Sequence, residues 1–212
     1  MKVNEIFYSI EGEGIRAGMP CVFIRLYGCN LNCSYCDTRY SCENNEYLEM
    51  TVEQILDIVK EYDCPNITVT GGEPLIHKGI YTLLTSLSKE GYSINIETNG
   101  TKEPFGYLKR VFYTMDFKTD SSGMSDKMNL DAFLALREDD VIKFVVGSKA
   151  DLDQSVKFYR DNEILAKPFV SPIFNCIEPE EIAEYLKSRS LSDWRLQLQL
   201  HKYIWEPQKR GV

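Results

Sequence analysis

Cys29, Cys33 and Cys36 stand at x3 and x2 spacing in the segment Cys29-Asn-Leu-Asn-Cys33-Ser-Tyr-Cys36, directly after the apolar run Val22-Phe-Ile-Arg-Leu-Tyr-Gly28. Three thiolates in one short loop can hold three irons of a 4Fe–4S cluster and leave the fourth iron without a protein ligand. Clusters that only carry electrons are normally closed by four cysteines, so an open iron points to chemistry at the cluster. A disulfide framework fits poorly, because the chain is neither short nor obviously secreted. Structural zinc needs a fourth ligand. Cys42 or His77 could be proposed for it, but Cys42 lies in a polar segment with no paired Cys-x2-Cys partner.

Other residues have the types and spacing for chemistry. Gly71-Gly72-Glu73-Pro74 follows Ile67-Thr-Val-Thr70. Its glycines let backbone approach a ligand, and Glu73 can accept from an ammonium. The plain alternative is a tight strand-to-helix turn with proline at the first helical position. Glu97-Thr-Asn99-Gly100 offers a carboxylate and an amide suited to ribose hydroxyls, or simply an Asn-Gly turn. Asp116 and Lys118 read either as cofactor neighbours or as a surface ion pair. Alternation along Val22–Tyr27 sets Phe23, Arg25 and Tyr27 on one face. A guanidinium between two aromatics on a core strand needs an anion, either internal, such as Glu13, or a bidentate substrate carboxylate. In Leu196–His201 the leucines alternate with Gln197, Gln199 and His201, which also suits a strand with its polar face in solvent. His77 reads as a helix-start surface residue.

The elements that must position these groups follow from periodicity. Strand-like runs recur at Val22–Leu26, Ile67–Thr70, Ile94–Glu97, Val111–Met115, Val141–Val146 and Phe169–Ile173. Thr51-Val-Glu-Gln54 looks like a capping box before Ile55, Ile58 and Val59. Ile80, Leu83, Leu84 and Leu87 mark a second helix, ended by Gly91. Leu130, Phe133, Leu134 and Leu136 mark a third, Leu152–Phe158 a fourth, and Glu178-Pro-Glu-Glu to Leu186 a fifth. Residues 43–49 and 119–127 read as surface loops. The β–α alternation predicts an α/β fold with a parallel sheet of about six strands and right-handed crossovers, an open or partial (β/α) barrel in one domain over residues 1–212. The cysteine loop, Gly71–Pro74, Thr98–Gly100 and Phe117-Lys118 each follow a predicted strand. That edge is where parallel α/β folds place their sites.

Bulk properties exclude several classes. The chain has 212 residues, 43% hydrophobic and 26% charged, so disorder is not expected. A net charge of −8 argues against a general nucleic-acid or anionic-membrane surface. No secretory signal is seen, and no apolar run approaches a membrane span. Seven cysteines without an export signal suggest a reducing cytoplasm. Cys21, Cys64 and Cys176 read as buried small hydrophobes.

The cysteine spacing together with Gly71–Pro74 resembles the radical S-adenosylmethionine (SAM) superfamily. That resemblance implies SAM chelated to the open iron and cleaved to a 5′-deoxyadenosyl radical that takes hydrogen from a substrate. It places Tyr35 and Asp37 beside the cofactor, with Tyr35 against adenine. It gives the methionyl amino group to the Gly71-Gly72-Glu73 turn, and further contacts to Glu97, Asn99, Asp116 and Lys118. Tyr8-Ser-Ile-Glu-Gly-Glu-Gly14, Arg25, Cys36-Asp-Thr38 and Gln199-Leu-His-Lys-Tyr-Ile-Trp205-Glu-Pro207 resemble the 7-carboxy-7-deazaguanine synthases, which contract a pterin ring. This second resemblance implies substrate contacts from Ile10, Glu11, Gly12, Glu13, Arg25, Thr70 and His201, and a Mg²⁺ held by Thr38. Glu11 stands where glutamine is commoner, and Asp116-Phe-Lys118 where related enzymes often show Ser-Pro-Lys. The family also implies a homodimer, a small pterin substrate, and an external reductant of flavodoxin or ferredoxin type. The nearest alternative is a glycyl-radical-enzyme activase, which needs a broad protein-docking face and has no need of Arg25, Thr38 or His201. An iron–sulfur electron carrier or a zinc-binding module is more distant.

Overall fold

The computed structural model describes residues 1–212. Nine strands form one sheet: β1 (Lys2–Ile10), β2 (Pro20–Leu26), β3 (Leu48–Glu49), β4 (Asn66–Gly71), β5 (Ser93–Thr98), β6 (Val111–Lys118), β7 (Val141–Val146), β8 (Lys167–Pro172) and β9 (Arg195–Leu196). Their spatial order is β3-β1-β2-β4-β5-β6-β7-β8-β9. Every pair from β2 onward is parallel, while β1 runs antiparallel to β2 and β3. The six predicted strands are therefore all present. Strand β1 went unread because a register shift between Val3 and Glu5 breaks its alternation.

Helices α1 (Val52–Lys60), α2 (Ile80–Lys89), α3 (Leu130–Leu134), α4 (Lys149–Asp161), α5 (Pro179–Ser188) and α6 (His201–Ile204) complete the chain. The capping box of α1 forms in both directions, Gln54 N to Thr51 Oγ1 at 3.3 Å and Thr51 N to Gln54 Oε1 at 2.9 Å. Gly91, at φ +94°, ends α2. No helix is long and apolar enough to cross a membrane.

Along β6, Val111, Tyr113, Met115 and Phe117 belong to the hydrophobic core, together with Ile24, Leu26, Ile67, Val69, Ile94 and Ile96 and the buried sides of α1 and α2. The alternate residues Thr114, Asp116 and Lys118 lie on the other face, and this polar concave face carries the site. Five expectations are corrected. Leu130 and Leu134 are exposed at 41% and 49%, because α3 is only five residues long and buries Ala132 and Phe133 instead. Cys176 is exposed in the turn after β8, not buried. His77 is half-buried at the end of the Pro74–Ile76 turn, three residues before α2. Residues 196–201 form no continuous strand, since β9 stops at Leu196 and His201 opens α6. The expected loops at 43–49 and 119–127 hold short elements, β3 and two 3₁₀ turns.

Candidate active site

The strand ends meet as the sequence requires. One chamber at the carboxyl edge of the sheet is lined by Cys29, Cys33, Cys36, Tyr35, Asp37, Thr38, Gly71, Gly72, Glu97, Asn99, Asp116 and Lys118. Its other walls include Ile10, Glu11, Gly12, Glu13, Arg25, Thr70 and His201. Of the predicted site residues, Glu73 alone is not on the wall. It is fully buried and accepts from Leu75 N at 2.8 Å, Thr98 Oγ1 at 2.7 Å and Asn99 N at 2.6 Å. Glu73 therefore ties two strand-end loops together, and burial pushes its carboxyl up to about 7.

The glycines before Glu73 are needed for close approach. A Cβ on Gly71 would lie 2.1 Å from Leu26 O, and one on Gly72 the same distance from Gly28 O. Backbone bonds from Gly72 N to Leu26 O (3.1 Å) and from Glu73 N to Gly28 O (2.9 Å) clamp this turn to the root of the cysteine loop. Asn99 Nδ2 donates to Asn30 Oδ1 at 2.9 Å and approaches Cys29 Sγ at 3.6 Å. Cys42 Sγ lies 3.6 Å from Ser41 Oγ and does not line the chamber, and neither does His77. Neither proposed fourth ligand thus faces the space that the three cysteines share.

Thr38 precedes the turn Arg39–Ser41, yet its hydroxyl makes no capping bond and only a 3.9 Å approach to Cys36 Sγ. Tyr35 presents a buried hydroxyl without a partner. Three thiols, an uncommitted hydroxyl and an orphaned phenol around one chamber fit a cluster, a small-molecule cofactor and a hard cation. Asp37 is ion-paired with Lys202 at 2.8 Å.

The floor carries a buried charge network. Asp116 and Lys143 are register partners across β6 and β7. Lys143 Nζ lies 2.7 Å from Glu13 Oε2 and 3.0 Å from Asp116 Oδ1, while Lys118 Nζ lies 2.7 Å from Asp116 Oδ2. Asp116 and Lys118 are thus no surface pair. Burial alone would disfavour the Lys143 ammonium, but Asp116 and Glu13 hold its pKa well above the ordinary value. Sequence reasoning missed Lys143; the signal was one cation inside the apolar run Val141–Val146.

Arg25 corrects an expectation. Its internal partner is Glu5, with Nε donating to Oε1 at 2.8 Å, and not Glu13. The terminal nitrogens have no partner in the chain. Glu97 accepts from Thr70 Oγ1 at 2.7 Å and, being buried, has its pKa raised. Glu11 is buried beside Thr68, which donates to it, and 3.6 Å from Arg16; burial and the charge of Glu97 push its carboxyl up to about 8.

The polar residues of 197–201 face residues 12–14 rather than solvent. Gln197 exchanges two bonds with Gly14, Oε1 accepting from Gly14 N at 2.7 Å and Nε2 donating to Gly14 O at 2.8 Å. Gln199 Nε2 donates to Glu13 Oε1 at 2.9 Å. A Cβ on Gly12 would stand 2.4 Å from His201 Nδ1, so only glycine lets the imidazole lie there.

A parallel partial barrel with a three-cysteine loop and a glycine turn at its strand ends defines a radical SAM protein, and residues 23–129 match the radical SAM superfamily. Streptococcus suis SuiB shares this fold at a TM-score of 0.58 and 15% identity, over 81% of this chain and 47% of that one. Proteins named 7-carboxy-7-deazaguanine synthase are more similar: one from Clostridium acetobutylicum is 43% identical over 100% of this chain and 99% of its own, and one from Chlorobaculum tepidum is 40% identical over 100% and 97%. The crystal structure of QueE from Escherichia coli matches at a TM-score of 0.76 and 25% identity, covering 93% of each chain. The chain belongs to the 7-carboxy-7-deazaguanine synthase family of radical SAM enzymes. Membership brings a 4Fe–4S cluster and SAM as cofactors, and it disfavours the activase, carrier and zinc-module alternatives.

Proposed function

We propose that this enzyme converts 6-carboxy-5,6,7,8-tetrahydropterin to 7-carboxy-7-deazaguanine with loss of ammonia, on the route to queuosine. The observation that carries this reading is Arg25. Glu5 fixes its Nε and so the plane of the guanidinium, leaving the two terminal nitrogens for a planar carboxylate in the chamber.

Cys29, Cys33 and Cys36 would hold the cluster, with SAM bound by the Gly71-Gly72 backbone, Asn99, Tyr35 and their neighbours. Bound there, cluster and SAM supply one-electron hydrogen abstraction. The chain's own residues position the substrate and exclude water. The free hydroxyl of Thr38 would ligate Mg²⁺, which keeps waters and substrate oxygens as its other ligands. With a carboxyl raised to about 8, Glu11 keeps its proton at neutral pH. It then offers one donor and one acceptor to a pterin edge, as an amide would, and this accounts for glutamate where relatives commonly carry glutamine. His201 closes the opposite end of the motif set against Gly12.

We further infer a cytoplasmic homodimer fed by a flavodoxin- or ferredoxin-type reductant. Supporting the pairing, β1 has no partner on its outer edge beyond Val3, and Tyr8 is 50% exposed there. Sedimentation at micromolar concentration tests it: a monomer would refute it.

The reaction is tested by incubating anaerobically reconstituted, reduced enzyme with SAM, Mg²⁺ and the carboxytetrahydropterin, and identifying the deazapurine by mass. SAM cleavage without that product would overturn the assignment. Arg25→Ala should lower turnover at least 100-fold while SAM cleavage without substrate persists.

A further inference from the structure

Residues 207–212 are exposed on their outer side from 208 to 211, yet they fold back over the chamber. Pro207, Gln208, Lys209, Gly211 and Val212 line the same chamber as Arg25 and the cysteines. Arg210 anchors the segment from outside. Its Nη1 lies 3.0 Å from Glu46 Oε2, and its guanidinium carbon lies 3.8 Å from the centroid of the Tyr40 ring.

Tyr40 links this anchor to the carboxylate reader. Its hydroxyl donates to Glu5 Oε1 at 2.9 Å, the same oxygen that accepts from Arg25 Nε. The Arg25 guanidinium carbon is itself 5.9 Å from the Tyr40 ring centroid. One phenol therefore stacks under Arg210, bonds the oxygen that orients Arg25, and has Arg25 over its own ring. Each of the two cations at this ring has its own carboxylate, Glu46 for Arg210 and Glu5 for Arg25, which offsets their mutual repulsion.

We propose that residues 207–212 form a strap across the substrate chamber, and that Arg210 is a positioning residue for Arg25. Arg210 fixes Tyr40, Tyr40 fixes Glu5, and Glu5 sets the plane in which Arg25 meets a carboxylate. This rests on reading Arg25 as the substrate's carboxylate receiver. The anchor is one half-exposed ion pair and one stacked guanidinium, so the strap can release for exchange without disturbing the barrel.

The test compares two non-reacting ligands on SAM-loaded holoenzyme by fluorescence titration: 6-carboxypterin and pterin, which lacks the carboxylate. In the unaltered enzyme the first binds more tightly. Arg210→Ala should cut that preference at least threefold, by weakening 6-carboxypterin more than pterin while leaving the cluster spectrum unchanged. Arg210→Lys keeps the charge but loses planar stacking, and should fall between. Removing residues 208–212 takes away the wall as well, and should weaken both ligands. An unchanged preference in Arg210→Ala overturns the positioning role, and unchanged binding of both ligands after the deletion overturns the strap. If the unaltered enzyme and Arg25→Ala both show no preference for the carboxylate, the fault lies in the reading of Arg25, and the positioning role falls with it.

Discussion

At the scale of single residues, the chamber is a problem of placing like charges together out of water. Glu11, Glu13, Glu97 and Asp116 share one small space, and Lys143, Lys118 and Arg16 answer them. Glu13 and Asp116 stay ionised because Lys143 touches both. Glu11 is farther from its cation and keeps a proton instead. Its carboxyl titrates near 4.5 in the open chain and near 8 in the fold, so the native state binds more protons between those values. Stability present below pH 4.5 is lost as pH rises through 8. Glu11→Gln removes this loss, and Arg16 keeps its bonds to Ile67 O, Ser93 O and Thr68 Oγ1. The variant should exceed the parent by on the order of 4 kcal/mol at pH 8, the gap closing toward pH 5 in urea titrations. A constant gap would refute the titration. Such balances were not legible in the sequence, where Glu11 and Glu13 look alike; only distance to Lys143 separates them.

At the scale of elements, tight glycines and ordinary caps divide the labour between site and scaffold. Gly72 lets the Gly71–Pro74 turn touch the start of the cysteine loop, and an added Cβ would meet Gly28 O at 2.1 Å and Cys29 N at 2.8 Å. Both are backbone atoms, so the cysteine loop itself must move. Gly72→Ala should cut iron and sulfide after reconstitution to below half of the parent's content. Thr51→Ala offers the contrast: loss of the α1 cap costs about 1 kcal/mol and leaves cluster content and turnover unchanged. Full iron loading in Gly72→Ala would show the approach to be dispensable. The parallel strands and the α1 box were legible because period two, helical period and capping chemistry are local signals. The end of the sheet was not. Gln197, Gln199 and His201 do alternate, as read, but their polar partners are residues 12–14, far away in sequence, and no local pattern announces them.

For the molecule as a whole, the decisive contact joins the two flanks of an open sheet. Between β9 and the loop after β1 no strand pairing exists, and Gln197 supplies with its amide the two bonds to Gly14 that a strand would have made. Gln197→Ala leaves Gly14 N buried without a partner and Gly14 O with only the 3.4 Å bond from Ala17 N. It should cost about 2–4 kcal/mol, read as a melting temperature lower by roughly 5–15 °C. A shift under 2 °C would mean water replaces the amide. The radical chemistry was legible from three cysteines, whereas the closure that encloses it depends on a pair separated by 183 positions.

That separation imposes an order on biosynthesis. At about 5–20 residues per second, Gln197 is polymerised roughly 8–30 seconds after Cys36. Throughout that interval Cys29, Cys33 and Cys36 have emerged or are emerging while the wall that shelters them does not yet exist. Nascent thiols therefore meet oxidants and stray metals before they meet iron and sulfide in a closed chamber. A cluster enclosed by the finished chamber can therefore be complete only after Gln197 and the residues beyond it have been added.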